Sequence, residues 1–267
     1  NELLSHGLSK ADGFFTDCHV VTQNIKKYLT SEIAFEEFPW GIEPEQYLMN
    51  TNIKEGKKIR TSLRWQKSNV IISTRSWESH YNIERLLEAF QILQSKRGNY
   101  KLILASSGSL KSKIMGIIKK NKLENDIYCP GLIDQNLLAR WYYAADFYIS
   151  TSKSDGSSIS MLEAMMCKLP CICHNEYGNL EWISNHKNGW LVDCNNTESI
   201  LSGMLEADRK KNDWDRIGHL NRIVVQDKAL WNENKSKIFK MYRYILMLNT
   251  DSSISQESIK VERSYNE

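Results

Sequence analysis

Apolar residues along this chain follow two patterns that take turns. The first is a short run with little polar alternation: Asn69-Val70-Ile71-Ile72-Ser73, Tyr100-Lys101-Leu102-Ile103-Leu104-Ala105, then 126–129, 147–150, 170–173 and 190–192. Such β-branched and aromatic runs suit strands of a parallel sheet that is covered on both faces. The second has apolar positions three and four apart, over 83–93, 110–120, 136–145 and the stretch that follows Ser158. That spacing lines one face of a helix. The two patterns alternate every roughly 20–30 residues, which predicts an α/β fold with a Rossmann-like, doubly wound parallel sheet and right-handed crossovers.

The flanks read differently. Residues 1–11 look helical, Gly13-Phe14-Phe15-Thr16-Asp17 is a short strand-like run, residues 20–29 suit a helix, and 38–43 form a tight connection. Residues 49–67 are polar, with Lys54-Glu55-Gly56-Lys57-Lys58 in the middle, and read as a linker. After a mixed helical region over 197–225, residues 228–248 predict one long helix carrying Trp231, Ile238, Met241, Tyr242 and Leu246. The Ser/Glu/Lys-rich residues 249–267 are expected to be disordered. The chain opens at Asn1, without Met and as if inside a helix, which suggests a partial reading frame.

Composition adds limits. A chain of 267 residues with 41% hydrophobic residues can bury one substantial core, or one core and part of another. Its net charge of +3 is too small to argue for nucleic acid, although it tolerates an anionic ligand or an anionic membrane surface. The six cysteines show no C-x-x-C spacing, and Cys171 and Cys173 fall on one face of a strand. Reduced, packed thiols and a cytoplasmic location are the expectation, with a zinc site as the alternative. No stretch approaches the roughly 18 apolar residues of a membrane span, and no signal peptide is recognised.

The stretch from Ser154 to Met166 carries the strongest chemical signal. It places Asp155, a Gly156-Ser157-Ser158 turn and Glu163 directly after a buried strand. A strand that enters a helix through small residues leaves the helix's first N–H groups unpaired at the positive end of its dipole, where phosphate binds. Glu163, eight residues after Asp155, returns to nearly the same helical face. A ligand with a central phosphate and hydroxyls at both ends fits this layout, as a nucleotide sugar does. The alternative is a capped amphipathic helix and nothing more.

From Asp155 to Glu163, and on through Ala164-Met165 and Lys168-Leu169-Pro170-Cys171-Ile172, the sequence resembles the E-x7-E motif of the retaining glycosyltransferases of family 4. There the motif usually reads E-G-x-x-x-x-x-x-E-A-M-A-x-G-x-P-V, so Asp155 stands for the first Glu and Lys168 for the Gly. Ser73-Thr74-Arg75 keeps the Arg of that family's G-R-x-x-x-x-K-G loop, while His80 stands at the Lys and Tyr81 at the Gly. Ser107-Gly108-Ser109, Gly131-Leu132-Ile133 and Tyr177-Gly178-Asn179-Leu180-Glu181-Trp182-Ile183 resemble further loops, and Trp40-Gly41-Ile42-Glu43 resembles the end of the family's first domain.

The resemblance implies a GT-B-type fold. Residues 1–45 would be the tail of an N-terminal acceptor domain, 46–68 a linker, 69–227 the nucleotide-sugar-binding domain, and 228–248 a closing helix that crosses back to the first domain. It implies transfer of a sugar from a UDP- or GDP-sugar, with retention, to a saccharide or lipid-linked acceptor in cell-surface polysaccharide or lipopolysaccharide assembly, at the cytoplasmic side and with peripheral membrane association as an option. No metal or cofactor is implied. Arg75, Asp155 and Glu163 would be the catalytic residues: Arg75 on the diphosphate, Asp155 on sugar hydroxyls, Glu163 on the ribose. Ser73, Thr74, His80, Gly108, Gly131, Leu132, Gly156, Ser157 and Ser158 would complete the donor site, with Glu181 a structural acid. A binding module without turnover, or a nucleotide-sugar epimerase of similar plan, are the competing readings.

Overall fold

The computed structural model describes residues 2–29 and 33–249; the tail expected to be disordered lies outside them from residue 250 on. Helix α1 (Glu2–Leu8), strand β1 (Gly13–Thr16), helix α2 (His19–Lys26) and strand β2 (Ala34–Glu37) form a small unit in which β1 and β2 pair in parallel, Gly13 opposite Ala34. Helices α3 (Pro44–Leu48) and α4 (Asn50–Ser62) lead to the main sheet. Its strands and helices alternate: β3 (Asn69–Ser73), α5 (Ile83–Arg97), β4 (Tyr100–Leu104), α6 (Lys111–Lys120), β5 (Ile127–Tyr128), α7 (Gln135–Tyr142), β6 (Phe147–Ile149), α8 (Ile159–Met166), β7 (Cys171–His174), the short α9 (Asn179–Trp182) and β8 (Gly189–Val192). Helices α10 (Thr197–Arg209), α11 (Trp214–Lys228) and α12 (Trp231–Asn249) close the chain.

All six strands of the main sheet are parallel, in the order β5-β4-β3-β6-β7-β8. This is the doubly wound arrangement the alternation predicts. Residues within one strand feed opposite layers because successive side chains point to opposite faces. Ile71, Phe147 and Ile149 join the cluster under α5, α6 and α10, with Phe90, Trp190 and Met204. Val70, Ile72 and Tyr148 join the other, with Leu162, Met165 and Val225 from α8 and α11. All five residues of β3 are buried, which is why its sequence shows no polar alternation. Cys171 and Cys173 share the second cluster, in line with their spacing.

The segment expected as a linker, 46–68, carries the end of α3 and all of α4. Its inward stripe is Asn52, Gly56, Ile59 and Leu63, of which Asn52 and Gly56 are buried. A Cβ at Gly56 would lie 2.6 Å from the Tyr143 backbone, so the missing side chain lets α4 approach the end of α7. With an Asn and a Gly at core positions the stripe carries little hydrophobic signal, and the outward lysines dominate the pattern. Strand β2 was likewise absent from the sequence reading; it is half-exposed and only four residues long.

Helix α12 packs on β1 and β2: Tyr242 lies 5.6 Å from Phe15, Met241 is buried, and Asn234 Nδ2 donates to Pro39 O at 2.9 Å. The closing helix thus returns to the N-terminal unit. No helix among the described residues is long and apolar enough to cross a membrane.

Helix α8 ends in a Schellman turn. Leu169 N donates to Ala164 O and Lys168 N to Met165 O, both at 3.0 Å, and Lys168 takes a left-handed φ of 64°. That conformation favours glycine. Lys168→Gly is therefore expected to raise the unfolding free energy by about 0.5–1 kcal/mol, a gain of roughly 2–3 °C in Tm for a domain of this size, measured by thermal denaturation.

Candidate functional site

The sheet order reverses between β3 and β6, and the loops after these two strands part there, leaving a crevice beyond their carboxyl ends. A cavity of about 490 Å³ occupies it. The loop after β3 supplies Thr74 and Arg75; the loop after β6 supplies Asp155, Gly156, Ser157 and Ser158; α8 adds Ser160 and Glu163. Sequence reasoning had placed these two loops together, with the helix N-terminus between Asp155 and Glu163.

Arg75 bridges the two loops. Its Nη2 meets Asp155 Oδ1 at 2.5 Å, and its Nη1 donates to Ser158 Oγ at 2.7 Å and Ser160 Oγ at 2.9 Å. Its guanidinium lies 4.4 Å from the centre of the Tyr81 ring, so the cation is stacked as well as forked. Both charged side chains are about nine-tenths buried. Burial raises the Asp155 carboxyl above its usual range, with Arg75 pulling the other way. Asp155 Oδ2 and Arg75 Nε are buried, with no hydrogen-bond partner of ordinary geometry among the described residues.

Glu163 sits at the other end, 3% exposed. Its Oε1 accepts from the Tyr47 hydroxyl at 2.7 Å and from Gln135 Nε2; its Oε2 accepts from the Tyr142 hydroxyl at 2.9 Å. Burial pushes the Glu163 carboxyl up, and these three donors counter it. The same burial, with Glu163 beside them, raises both phenols well above their usual values, so they remain donors. Tyr47 comes from the segment read as a linker, and Gln135 opens α7. Neither carries a sequence signal of its own, since only the fold brings them to Glu163.

Four expected residues lie elsewhere. His80 does not line the cavity: its Nε2 lies 2.7 Å from Ser154 O, so the ring fastens the loop from outside. The 3₁₀ turn Ser79–Tyr81 places the ring against Ser154, next to Asp155 in the chain. Ser73 is buried within β3. Gly108 packs where a Cβ would lie 2.5 Å from Trp77 O, and Gly131 serves a turn with φ of +83°; neither faces the cavity, although the neighbouring Leu132 does. In the other direction, the structure adds Asp17, Ser106, Ile133, Gln135 and Ser160 to the lining. Asp17 follows β1, and its Oδ2 accepts from Ser157 N at 2.9 Å, so one amide expected to face phosphate already has an anion on it. Glu181 accepts from His19 N at 2.8 Å, a structural role for that acid.

The family model for glycosyl transferases group 1 matches residues 55–219. Among curated proteins, the chain is 28% identical over 127 residues to the poly(ribitol-phosphate) alpha-N-acetylglucosaminyltransferase of Staphylococcus aureus, covering 46% of this chain and 25% of that one. It is 24% identical over 185 residues to the O-antigen chain mannosyltransferase B of Escherichia coli, covering 68% and 47%. The chain therefore spans a quarter to a half of these relatives' length. Among solved structures, sucrose-phosphate synthase from Thermosynechococcus elongatus superposes with a TM-score of 0.79 at 18% identity, over 92% of this chain and 61% of that one. Anabaena Alr3699/HepE in complex with UDP-glucose gives 0.77 at 14% identity, over 90% and 68%. These likenesses show an α/β fold of the GT-B type.

Removing Arg75 strands a buried carboxylate. Arg75→Ala is expected to lower the unfolding free energy by about 3 kcal/mol, whereas Asp155→Asn, which removes the charge but keeps an acceptor for Arg75, should cost about 1 kcal/mol. Urea unfolding of the two variants beside the wild type checks the order.

Proposed function

The chain belongs to the group 1 glycosyl transferases, and from that premise we propose that it moves a sugar from a nucleotide-sugar donor to a saccharide or lipid-linked acceptor, with retention at the anomeric carbon. The acceptor belongs to cell-surface polysaccharide or lipopolysaccharide assembly in this reading, as the printed names of the O-antigen and poly(ribitol-phosphate) enzymes suggest. The likeness to the retaining enzymes of family 4 at 155–172 supports retention. One observation carries the proposal: Arg75 and Asp155, and separately Glu163, stand along a single cavity at the N-terminus of α8.

The roles follow from charge and placement. Arg75 can release part of its fork to a diphosphate, and the first-turn N–H groups of α8 add the positive end of the helix dipole. Together they stabilise the negative charge that develops on the leaving diphosphate, which is where electrostatic catalysis acts. Asp155, among the residues lining the cavity, accepts from a sugar hydroxyl. Glu163, at the far end, accepts from the ribose hydroxyls, with Tyr47 and Tyr142 holding its carboxylate in place. The donor is a UDP- or GDP-sugar, and the reading calls for no further cofactor. A cytoplasmic setting fits six free thiols, five of them buried.

A second reading has one observation in its favour. Arg75 is the single cation among the residues lining the cavity, because His80 lies outside it. A site with one cation suits a module that binds the donor without turning it over.

Calorimetric titration of the chain with UDP, GDP and ADP tests the site. One nucleotide is expected to bind selectively, and Glu163→Gln and Arg75→Lys should each weaken it about tenfold, the worth of one or two charge-assisted hydrogen bonds. Binding that ignores both substitutions would remove the site assignment. Sugar turnover with an acceptor extract separates the enzyme from the module.

A further inference from the structure

The charge balance of the cavity points to the kind of sugar it takes, and the argument rests on the nucleotide-sugar reading above. Three carboxylates line the cavity, those of Asp17, Asp155 and Glu163, against the single guanidinium of Arg75. Glu163 is held by the donors Tyr47, Gln135 and Tyr142. Arg75 is engaged by Asp155. No lining cation is therefore left to neutralise Asp17.

Asp17 is held firmly. Its Oδ2 accepts from Ser157 N at 2.9 Å, and its carbonyl oxygen accepts from Ser157 Oγ at 2.6 Å. Ser157 Oγ in turn accepts from Trp182 Nε1 at 3.1 Å, and Glu181 takes the His19 N–H two residues along. The carboxylate is pressed so closely on Gly156 that a Cβ there would collide with it. Asp17 and Asp155 are thus both neighbours of Gly156, the one packed on it through space and the other next to it along the chain, and both line the cavity.

We infer that Asp17 and Asp155 form a paired carboxylate wall that makes this site specific for an uncharged, hydroxyl-rich donor sugar and excludes uronic acids. Sugar hydroxyls are donors, and the two carboxylates among the lining residues here offer only acceptors. A sugar carboxylate brings only acceptors and a third negative charge to a place where the one cation is already paired. Like charges brought together in a partly desolvated site discriminate strongly between otherwise similar ligands. The donor's phosphates take the part of the Arg75 fork that Asp155 releases, together with the first amides of α8, and this leaves no lining cation for a further anionic group on the sugar.

The test compares two donors that differ only at C6, a hydroxymethyl in one and a carboxylate in the other, on whichever nucleoside diphosphate binds: UDP-glucose and UDP-glucuronic acid, or GDP-mannose and GDP-mannuronic acid. Calorimetry on the wild-type chain is expected to show the neutral sugar bound at least about tenfold more tightly. Asp17→Asn keeps an acceptor for Ser157 N and removes the charge, so the ratio should shrink at least about threefold; Asp17→Ser, read the same way, replaces it if the first variant does not fold. A wild-type ratio near one, or a ratio that neither variant alters, overturns the inference while the nucleotide site stands. Failure of every nucleoside diphosphate to bind removes the underlying reading and this inference with it.

Discussion

The ion pair between Arg75 and Asp155 is the contact on which the site depends. It joins the loop after β3 to the loop after β6, the two loops that part where the sheet order reverses. A charge taken out of water needs a partner, and here each is the other's principal one. The pair therefore does more than add a contact. It fixes the separation of the loops, orients Ser158 and Ser160 at the start of α8, and keeps a cation next to the first amides of that helix. Tyr81 stacked on the guanidinium and His80 tied to Ser154 support the same geometry from outside.

Around this pair the cavity is divided by chemistry. At one end a carboxylate is buried among three donors from two elements, Tyr47 of α3 and Gln135 and Tyr142 at the two ends of α7, so Glu163 is rigid and keeps acceptor capacity for hydroxyls. At the other, Gly156 makes room for Asp17, which reaches in from β1 and accepts the Ser157 amide. The N-terminal unit is thus part of the site, held there by the Asp17–Ser157 and His19–Glu181 bonds and by α12 packing on β1 and β2.

Much of the main sheet was legible because its strands are buried on both faces and so appear as unbroken apolar runs; Val70, Ile71 and Ile72 feed two different clusters from one such run. The helix α4 was hidden for the opposite reason, since its buried positions are Asn52 and Gly56 and its lysines face outward. The family's motif pointed to Arg75, Asp155 and Glu163, and the fold brings all three to one cavity. It also pointed to His80, Gly108 and Gly131, where the resemblance marks a loop position but the residue does not line the cavity. Lys168 shows the reverse: the residue departs from the motif's glycine, yet the backbone keeps the left-handed turn that glycine would favour.

By itself, then, the sequence determined the alternation of strands and helices in the main sheet, the glycine-serine turn at the head of α8, and the spacing that puts Asp155 and Glu163 near one helical face. These are local properties, set by side-chain periodicity and backbone preference over a few residues. Only the tertiary structure decided what each group meets: that Arg75 is spent on Asp155, that Tyr47 and Gln135 converge on Glu163, and that Asp17 reaches the Ser157 amide across 140 residues of chain. Those pairings have no periodicity to read. They follow from burying charged and polar groups in one crevice, where each must find a partner among whatever the packed elements bring within reach.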